Sequence, residues 1–551
     1  MSIFDKIKVP KPKRSNFDLS HDVKLTTDFG RLTPFLCTEV MPGDSFKCSS
    51  QVFARLAPML APVMNRMDVY THFFFVPMRL LWDKWEDFIT GGEDGLQMPS
   101  KPFITLQELE RNRALGVGSL ADHLGLPVES LSDDVVRVDE LPFRAYSLIW
   151  NEWYRDQNLE DPIDIGFNIS GEQQVTGDYA KKYFIKNRAW RKDYFTSALP
   201  WPQRGQDMRV PMHFDNGFET RPNQSPFKVV GGTDFTPSAT MDLQVAKGNS
   251  GRGNRILATT GSEQHELKIN PDQWMLDGNN LGPTVNELRR SIQIQKWLEA
   301  NARGGARYIE QILSHFGVVS SDSRLQRPEL LGGGKSPVLI SEVVNQAGFS
   351  LNENSPTGTL GSMAGHGVSA QNSHGFKRYF EEHGYLIGII SFMPKSSYYG
   401  GVPRMWSKRD KFDYAWPEFA NLGEQEILNK ELYLGADQDP EGVFGYAPRY
   451  SEYKFIPSQV HGDFRKSMAY WHLGRTFLYP PKLNADFVRC GSDQYSVVNN
   501  NGSTSHNQEV LDRIFNFISE SSGENYFDHI WVQVSNNIIA KRPLPYYGTP
   551  I

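Results

Sequence analysis

The distance along the chain between strand-like segments constrains this fold more than any other feature of the sequence. Ser45–Leu56 and residues 68–76 alternate near the start of the 551-residue chain, residues 384–393 are continuously apolar, and residues 529–534 alternate again near its end. Alternating β-branched and aromatic residues predict half-buried strands, and a continuous apolar run predicts a strand buried on both faces. With no internal repeat or Gly/Ser linker, early and late strands must pair across hundreds of residues.

This pattern predicts a mainly β fold, an antiparallel sandwich with long crossovers such as a jelly roll, whose paired strands need not be adjacent in sequence. A parallel α/β sheet would require strands and helices in regular alternation, which the sequence lacks. Length alone suggests roughly three or four domains. We instead predict one domain spanning residues 1–551, with long and partly helical insertions.

Capping signals predict several helices within the insertions. Thr284 and Glu287 form a capping box that opens a helix, and Gly304 and Gly305 end it. Further helices are predicted to begin at Pro77, Thr105 and Ser119, to cover residues 141–154, and to lie between residues 309 and 317.

Three stretches are interpreted as loops. Residues 213–266 are rich in Gly, Asn, Ser and Thr, and residues 348–375 contain six glycines and few large apolar side chains. We interpret Gly332-Gly333-Gly334-Lys335 as a flexible loop, because a phosphate-binding loop needs a strand before it and a helix after it. Long loops of this kind usually have a function or are mobile.

Composition excludes several classes of protein. No apolar stretch approaches the roughly 18 residues of a membrane-spanning helix, and the N-terminus has no apolar core after its basic residues, so it is not a secretory signal. A net charge of −6 argues against a generally basic nucleic-acid coat, so any nucleic-acid contact should be local. The three cysteines, Cys37, Cys48 and Cys490, are interpreted as small buried thiols in a reducing compartment.

No catalytic, metal or cofactor signature is present in the sequence. His366, His374 and His383 lack the spacing of a metal site. His461-Gly462-Asp463 resembles part of a catalytic triad but has no nucleophile elbow, and we interpret His461 as a hydrogen-bonding residue at a turn. The many carboxylates and aromatics leave a second hypothesis open, a jelly-roll protein that binds or cleaves carbohydrate.

One local charge feature stands out, a basic arm at the N-terminus. Two prolines, Pro10 and Pro12, keep this arm extended. An extended basic arm can lie along phosphates, and a solvated tail has the same composition, so the residues alone leave both interpretations open. The candidate DNA-binding residues are Lys6, Lys8, Lys11, Lys13 and Arg14.

Short motifs occur in order from about residue 17 to the end of the chain. They are FDLSH at 17–21, EVMPGD at 39–44, FFVPMRL at 74–80, LPFRAY at 141–146, WYRDQNL at 153–159, DYFTSALPWPQ at 193–203, ARGGARY at 302–308, RLQRPE at 324–329, PRMW at 403–406, WPEFANLGEQ at 416–425, PRYSEY at 448–453 and KRPLPYYGTP at 541–550. Together they resemble the major capsid protein of microviruses, in the gokushovirus-like branch. Each motif alone is weak, but their number and order make the resemblance specific.

The resemblance implies a single eight-stranded antiparallel jelly roll, the viral coat β-sandwich, and no enzymatic activity. It implies that copies form pentamers and a sixty-subunit T=1 icosahedral shell around the circular single-stranded DNA of a small tailless bacteriophage. The implied partners are an internal scaffolding protein, a DNA pilot protein, often a small basic DNA-binding protein, and a host cell-surface receptor. The implied location is the virion, after assembly in the cytoplasm of the bacterial host.

The resemblance also assigns roles to three segments. By position, residues 213–266 match an insertion that projects at the threefold axes and is thought to meet the host. Residues 1–16 are expected to form the basic N-terminal arm. Residues 541–551, with three prolines, are expected to form an extended C-terminal arm.

Overall fold

The computed structural model of the chain describes residues 13–91, 96–129, 135–204, 242–246, 255–260, 263–266, 285–304, 326–344, 363–435, 437–477, 480–491, 511–516 and 528–547. The chain divides into two compact units. The first contains Met1–Arg204 and Glu299–Ile551, and the second contains Gly205–Leu298.

Strands dominate the described part of the chain. They are β1 (Ser15–Asp18), β2 (His21–Thr27), β3 (Thr33–Val40), β4 (Ser45–Leu56), β5 (Met67–Pro77), β6 (Phe103–Thr105), β7 (Arg137–Asp139), β8 (Asp242–Ala246), β9 (Arg255–Thr260), β10 (Glu263–Glu266), β11 (Glu329–Pro337), β12 (Leu339–Val344), β13 (Met363–Tyr379), β14 (Gly384–Pro394), β15 (Glu424–Leu428), β16 (Val443–Pro448) and β17 (Ile530–Arg542).

Most helices in the described residues are short. The α-helices span Trp85–Thr90, Leu106–Arg111, Leu120–His123, Leu141–Ile149, Val285–Gly304, Asn429–Leu432, Ser451–Lys454 and Ala485–Val488, and a π-helical turn at Trp150–Tyr154 extends the fourth of them. Short 3₁₀-helices occupy Met78–Leu80, Gly177–Tyr183, Arg404–Trp406, Lys411–Asp413, Pro417–Phe419, Gly462–Arg465, Ala469–Trp471 and Leu511–Ile514. Among the described residues no helix is both long and apolar enough to cross a bilayer.

Two antiparallel sheets build the sandwich of the first unit. In the six-stranded sheet, β1 and β2 pair with one side of β17, and β4, β13 and β12 follow on its other side. The four-stranded sheet has the order β11-β5-β14-β3. The chain passes between the two sheets repeatedly, with strands distant in sequence as neighbours, which is jelly-roll connectivity.

The predicted mainly β jelly roll is therefore confirmed. The two sheets contain six and four described strands, rather than eight in all. The difference arises because β1 and β2 share one side of β17, and because β12 adds a strand beyond β13.

The two central strands of the four-stranded sheet, β5 and β14, are buried on both faces. Toward the six-stranded sheet, residues such as Phe73 and Ile390 enter the sandwich core. On its opposite face, Phe74 and Ile387 pack in a second apolar cluster with the helix Leu141–Ile149 and with Trp82. This second layer explains why every residue of β14 is buried, as its continuous apolar sequence predicted.

Two predicted loops are strands, and the reason is close packing at glycine. Gly332-Gly333-Gly334-Lys335 belongs to β11, and residues 363–375 belong to β13. A Cβ at Gly334 would lie 1.8 Å from His374 Cδ2, and one at Gly375 would lie 2.1 Å from the carbonyl oxygen of Cys48. These strands lack large apolar residues where neighbouring atoms leave no room for a side chain, so their sequences resemble loops. Residues 345–362 of the predicted loop lie outside the described residues.

The capping signals correctly predicted where three helices begin. Thr105 and Ser119 cap their predicted helices by accepting hydrogen bonds from the backbone of Glu108 and Asp122, and Val285–Gly304 begins and ends as expected. The helix predicted from Pro77 is in fact two pieces, the turn Met78–Leu80 and the helix Trp85–Thr90. The helix predicted between residues 309 and 317 lies outside the described residues.

In the second unit, β8, β9 and β10 form a three-stranded antiparallel sheet in the order β10-β9-β8. These strands belong to the predicted insertion 213–266. The other residues of that insertion lie outside the described residues. The assignment of the insertion to the shell surface remains a prediction.

Gly30, in the turn that carries the chain from β2 to β3, offers a test of the fold. Its φ is +76°, and a Cβ there would lie 2.0 Å from the carbonyl oxygen of Cys490. Gly177 has a φ of +60°, but nothing lies within 4 Å of its Cβ position. We expect Gly177→Ala to lower the free energy of unfolding by about 1 kcal/mol, the cost of the left-handed conformation.

Gly30→Ala should lower the free energy of unfolding by at least about 3 kcal/mol, because overpacking adds to the conformational cost. Urea denaturation of the two variants measures the difference. Equal losses would show that the Gly30 turn does not pack against Cys490 as described.

Candidate assembly and nucleic-acid surfaces

The outer face of the six-stranded sheet carries an excess of positive charge. Because side chains alternate along strands, every second residue of β2, β4, β13 and β17 points away from the core. Among the described residues of this face, the exposed acidic side chains are Asp18 at the end of β1 and Asp22 of β2. The exposed cations are Lys24, Lys47, Arg55, Lys377 and Lys541, and we call the surface they form the basic sheet face.

Strand register brings these cations together, although they are far apart in sequence. Lys47 on β4 lies directly opposite Lys377 on β13. Arg55 lies opposite Trp531 on β17. Like charges opposite each other across two strands destabilise a sheet, so Lys47 and Lys377 are a pair that folding alone would not favour.

Exposed aromatic rings are interleaved with the cations. Trp531 is 48% exposed and Phe53 is 40% exposed, and the Arg55 guanidinium lies 5.3 Å from the centre of the Phe53 ring. Tyr379, at the end of β13, is similarly exposed. Cations interleaved with exposed rings suit single-stranded nucleic acid, whose phosphates and unpaired bases need charge and stacking surfaces.

The structure places one predicted DNA-binding residue beside this face. The Arg14 guanidinium lies 5.4 Å from the centre of the Tyr379 ring and donates a 3.3 Å hydrogen bond to its hydroxyl. Lys13 is exposed next to it. Lys6, Lys8 and Lys11 lie outside the described residues, so the DNA-binding role of the arm remains a prediction.

A second surface is aromatic and solvent-exposed. It is built from the segments 404–416 and 453–456, and Trp406 at 73% exposure is its most open ring. Tyr453 joins the two segments, because its hydroxyl accepts hydrogen bonds from the backbone of Ala415 and from the Lys408 ammonium. The exposed apolar members of this surface, which we call the aromatic surface, are Met405, Trp406, Phe412, Tyr414, Trp416, Tyr453, Phe455 and Ile456.

The C-terminal residues run along the first strands of the chain. Lys541 and Arg542 end β17, and the Arg542 guanidinium donates to the carbonyl oxygen of Glu39 at 3.0 Å. Tyr546 stacks on Phe17 with 5.9 Å between ring centres. The role of residues 541–551 as an arm between subunits remains a prediction, and residues 548–551 lie outside the described residues.

The histidines considered above as metal-ligand or catalytic candidates lie in different environments. His366 and His374 lie on β13, and His383 contacts the Trp85 ring. His461 pairs with the Gln459 side chain at 3.0 Å. Within the described ranges, no three His, Cys, Asp or Glu side chains converge as metal ligands would.

The environments of Cys37 and Cys48 disfavour the reactive thiolate form of their side chains. Cys48 and Cys490 are buried and Cys37 is half-buried. Burial raises the pKa of the Cys37 thiol to about 12 and that of Cys48 to about 11. Since the thiolate is the nucleophilic form of cysteine, these two side chains are poor nucleophiles near neutral pH.

Jelly rolls of this connectivity occur in viral coat proteins and in lectins. A sandwich with one open basic face and a separate aromatic surface fits the coat class, in which a subunit meets both nucleic acid and its neighbours. Comparison with known proteins decides between the two classes.

The chain belongs to the family described as "Capsid protein (F protein)", whose model matches residues 6–551. Its relatives include Capsid protein VP1 of Chlamydia phage 1, 34% identical over 88% of this chain and 91% of the relative. Capsid protein VP1 of Bdellovibrio phage phiMH2K is 35% identical over 86% of this chain and 87% of the relative, and that of Spiroplasma virus 4 is 29% identical over 98% and 95%.

The resemblance to microvirus major capsid proteins of the gokushovirus-like branch is thus confirmed. The chain is a structural phage capsid protein and a component of the virion, and it is not an enzyme. The carbohydrate-active alternative is not supported by any of these relatives.

The opposed lysines of the basic sheet face generate a prediction. Lys47→Gln and Lys377→Gln should each raise the free energy of unfolding slightly, by about 0.3 kcal/mol, because each removes a like-charge contact. The same changes should weaken binding of a single-stranded oligonucleotide and lower its salt dependence by about 0.7 per lysine.

Fluorescence anisotropy at several salt concentrations measures the effect of these changes on binding. Lys466→Gln is the control, since Lys466 is exposed outside the sheet. If all three variants had the same salt slope as the unchanged chain, the basic sheet face would not be a nucleic-acid surface.

Proposed function

We propose that copies of this chain assemble into a closed T=1 icosahedral shell of sixty subunits, through pentamers, around a circular single-stranded DNA genome. The observation that carries the proposal is the basic sheet face. It is an open sheet surface of cations and aromatic rings on a subunit whose net charge is −6. A general polyanion binder would be basic overall, whereas a coat subunit needs positive charge only where it meets the genome.

Two apolar surfaces support self-association. The aromatic surface holds Trp, Tyr, Phe and Met side chains, which are enriched at protein interfaces. Strand β12 is an edge strand of the six-stranded sheet, and its Leu339, Val343 and Val344 side chains are exposed. Exposed apolar patches and edge strands promote association, and a second copy of the chain is the occupant that a shell provides.

The remaining partners follow from the same function. A subunit with this net charge leaves much of the DNA charge to other components, which suits a small basic DNA-binding protein. An internal scaffolding protein and a DNA pilot protein complete the proposed set, and host entry requires a cell-surface receptor. Assembly is proposed in the cytoplasm of the bacterial host.

The proposed host-attachment element is the insertion at residues 213–266. Its polar composition and its membership of a separate compact unit, Gly205–Leu298, support a role distinct from that of the sandwich. We propose that it forms the protrusion at the threefold axes of the shell.

The direct test of this function is the size of what the full-length chain forms. After expression with its proposed scaffolding partner, sedimentation velocity and negative-stain microscopy should show pentamers and closed, isometric particles. A stable monomer under every assembly condition would contradict the proposal.

The aromatic surface gives a sharper test of assembly. Trp406 is 73% exposed, so Trp406→Ala should change the free energy of unfolding by less than about 0.5 kcal/mol. We expect the concentration needed for assembly to rise at least about tenfold, as for a central interface residue. Met98→Ala, at 88% exposure on another segment, is the matched control. Unchanged assembly in the Trp406 variant would exclude this surface from subunit contacts.

Shortening the insertion separates attachment from assembly. Deleting part of residues 213–266 should leave particle formation intact and reduce particle adsorption to host cells at least about tenfold, because the strands of the sandwich belong to the other compact unit. Electron microscopy and an adsorption assay measure the two effects. Loss of particles, or normal adsorption by intact particles, would refute the assignment.

Removing the positive charges of the N-terminal arm tests its proposed contact with DNA. Replacing Lys6, Lys8, Lys11, Lys13 and Arg14 with glutamine should reduce genome retention in particles and make it less sensitive to salt, because released counterions drive such contacts. The DNA content of particles after salt washes gives the result. Unchanged retention at every salt concentration would show that the arm is only a solvated tail.

A further inference from the structure

Strand β12 is an edge of the six-stranded sheet that is open to solvent. It pairs with β13 on one side, and among the described residues no strand or isolated bridge pairs with its other side. Five of its six residues are exposed and none is buried. Such an edge presents a row of backbone N–H and C=O groups to any strand that approaches it.

The strand lacks the features that usually protect an edge. Proteins blunt exposed edges with several charges, with proline or with a β-bulge. The sequence of β12, LISEVV, contains no proline and a single charged residue, Glu342. Its six residue pairs with β13 follow one another without a register shift. Apolar and β-branched residues dominate it instead, and these favour pairing with a further strand.

The register with β13 shows which side chains of β12 share a face. Leu339 lies opposite Val368, which in turn lies opposite Arg55 of the basic sheet face. Opposed residues point to the same face and side chains alternate along a strand, so Leu339, Ser341 and Val343 all lie on that open face. Leu339 is 71% exposed and Val343 is 52% exposed. A strand added beside β12 would cover apolar surface as well as the edge.

Two copies of the same edge strand can pair in few registers. An antiparallel pair of identical strands has a twofold axis perpendicular to the sheet, so each contact occurs twice. Residues that face each other must lie on the same side of the sheet, so their numbers differ by an even number. The axis therefore passes beside one residue, which faces its own copy. The two registers that overlap most of β12 centre on Ser341 and on Glu342.

The side chains favour the register centred on Ser341. It sets Leu339 against Val343 of the second copy on both sides of the axis, so the exposed apolar residues meet each other. Ile340 then faces Glu342, and no like charges are opposed. The register centred on Glu342 would set two carboxylates directly against each other, which destabilises a sheet.

We propose that β12 pairs antiparallel with β12 of a second copy across a twofold axis, in the register that sets Ser341 against Ser341. The inference rests on the proposed function, because an icosahedral shell has twofold axes at which one surface of the subunit meets itself. The pairing joins the six-stranded sheets of two copies into one continuous sheet. Their basic sheet faces then form a single surface on one side of the shell wall.

Cysteine crosslinking tests this register. Facing residues of an antiparallel pair have Cα atoms about 4.5–5.5 Å apart, within the range of about 4.4–6.8 Å that a disulfide needs. Oxidised particles of the Ser341→Cys variant should therefore contain crosslinked dimers. Glu342→Cys is the matched control, because the next residue of the same exposed strand faces Ile340 and not its own copy.

Non-reducing gel electrophoresis of disassembled particles measures the crosslinking. The Glu342→Cys variant should give at least about tenfold less dimer than the Ser341→Cys variant, because its two cysteines are not opposed. Particles of the unchanged chain give the background from the three native cysteines.

Paired charge substitutions test the contact in a second way. Ser341→Lys alone and Ser341→Glu alone each oppose like charges across the axis, so each should raise the concentration needed for assembly about fivefold. An equal mixture of the two variants allows opposite charges to meet and should bring that concentration to within about twofold of the unchanged value. Rescue by mixing separates a contact across the axis from damage to the subunit itself.

Three results would overturn the inference and leave the coat function intact. They are equal dimer yields from the two cysteine variants, no rescue by mixing, and an electron cryo-microscopy map of unchanged particles in which β12 has no neighbour or pairs with a strand of the scaffolding protein. The map needs no variant, so it holds even if a substitution prevents folding. Failure of the unchanged chain to form particles would instead contradict the proposed function, and the twofold contact with it.

Discussion

The pairing of the last strand with the first ones is the constraint on which the sandwich depends. Strand β17 lies between β4 on one side and β1 and β2 on the other. Every second residue of β17, from Ile530 to Ala540, is buried. Two contacts fix its start to the turn after β2, Arg31 to Asp528 at 2.7 Å and His529 to Asp28 at 2.9 Å. Because these contacts join the two ends of the chain, the six-stranded sheet closes only after almost all residues are available, and such long-range pairing is intrinsically slow.

The two sheets have different roles in the subunit. The central strands β5 and β14 of the four-stranded sheet are covered on both faces, so they contribute to stability and to the support of the helical layer. The six-stranded sheet keeps one face open, and that face carries side chains that folding does not need. Lys47 opposite Lys377 lowers stability locally, which is expected where a surface is shaped by a ligand rather than by the fold.

The sequence was informative wherever the signal is local. Alternation in β4 and β17, the apolar run of β14 and the capping residues Thr105 and Ser119 all predicted the elements that form. It failed at β11 and β13, because glycine is required there by the approach of distant atoms such as His374 and Cys48. The sequences of residues 332–335 and 363–375 do not by themselves reveal how closely these distant atoms approach.

The functional surfaces were the least predictable part for the same reason. Lys6, Lys8, Lys11, Lys13 and Arg14 stood out as a run in the sequence, whereas the five cations of the basic sheet face are isolated residues on four different strands. Only strand register assembles them into one face.

Electron cryo-microscopy of DNA-filled particles tests the central claim most directly, that this jelly roll is a coat subunit whose basic sheet face meets the genome. The account predicts an icosahedral shell with the six-stranded sheet facing inward and nucleic-acid density against Lys47, Lys377 and Trp531. A shell with this sheet facing the solvent, or with no density near these residues when DNA is present, would contradict it.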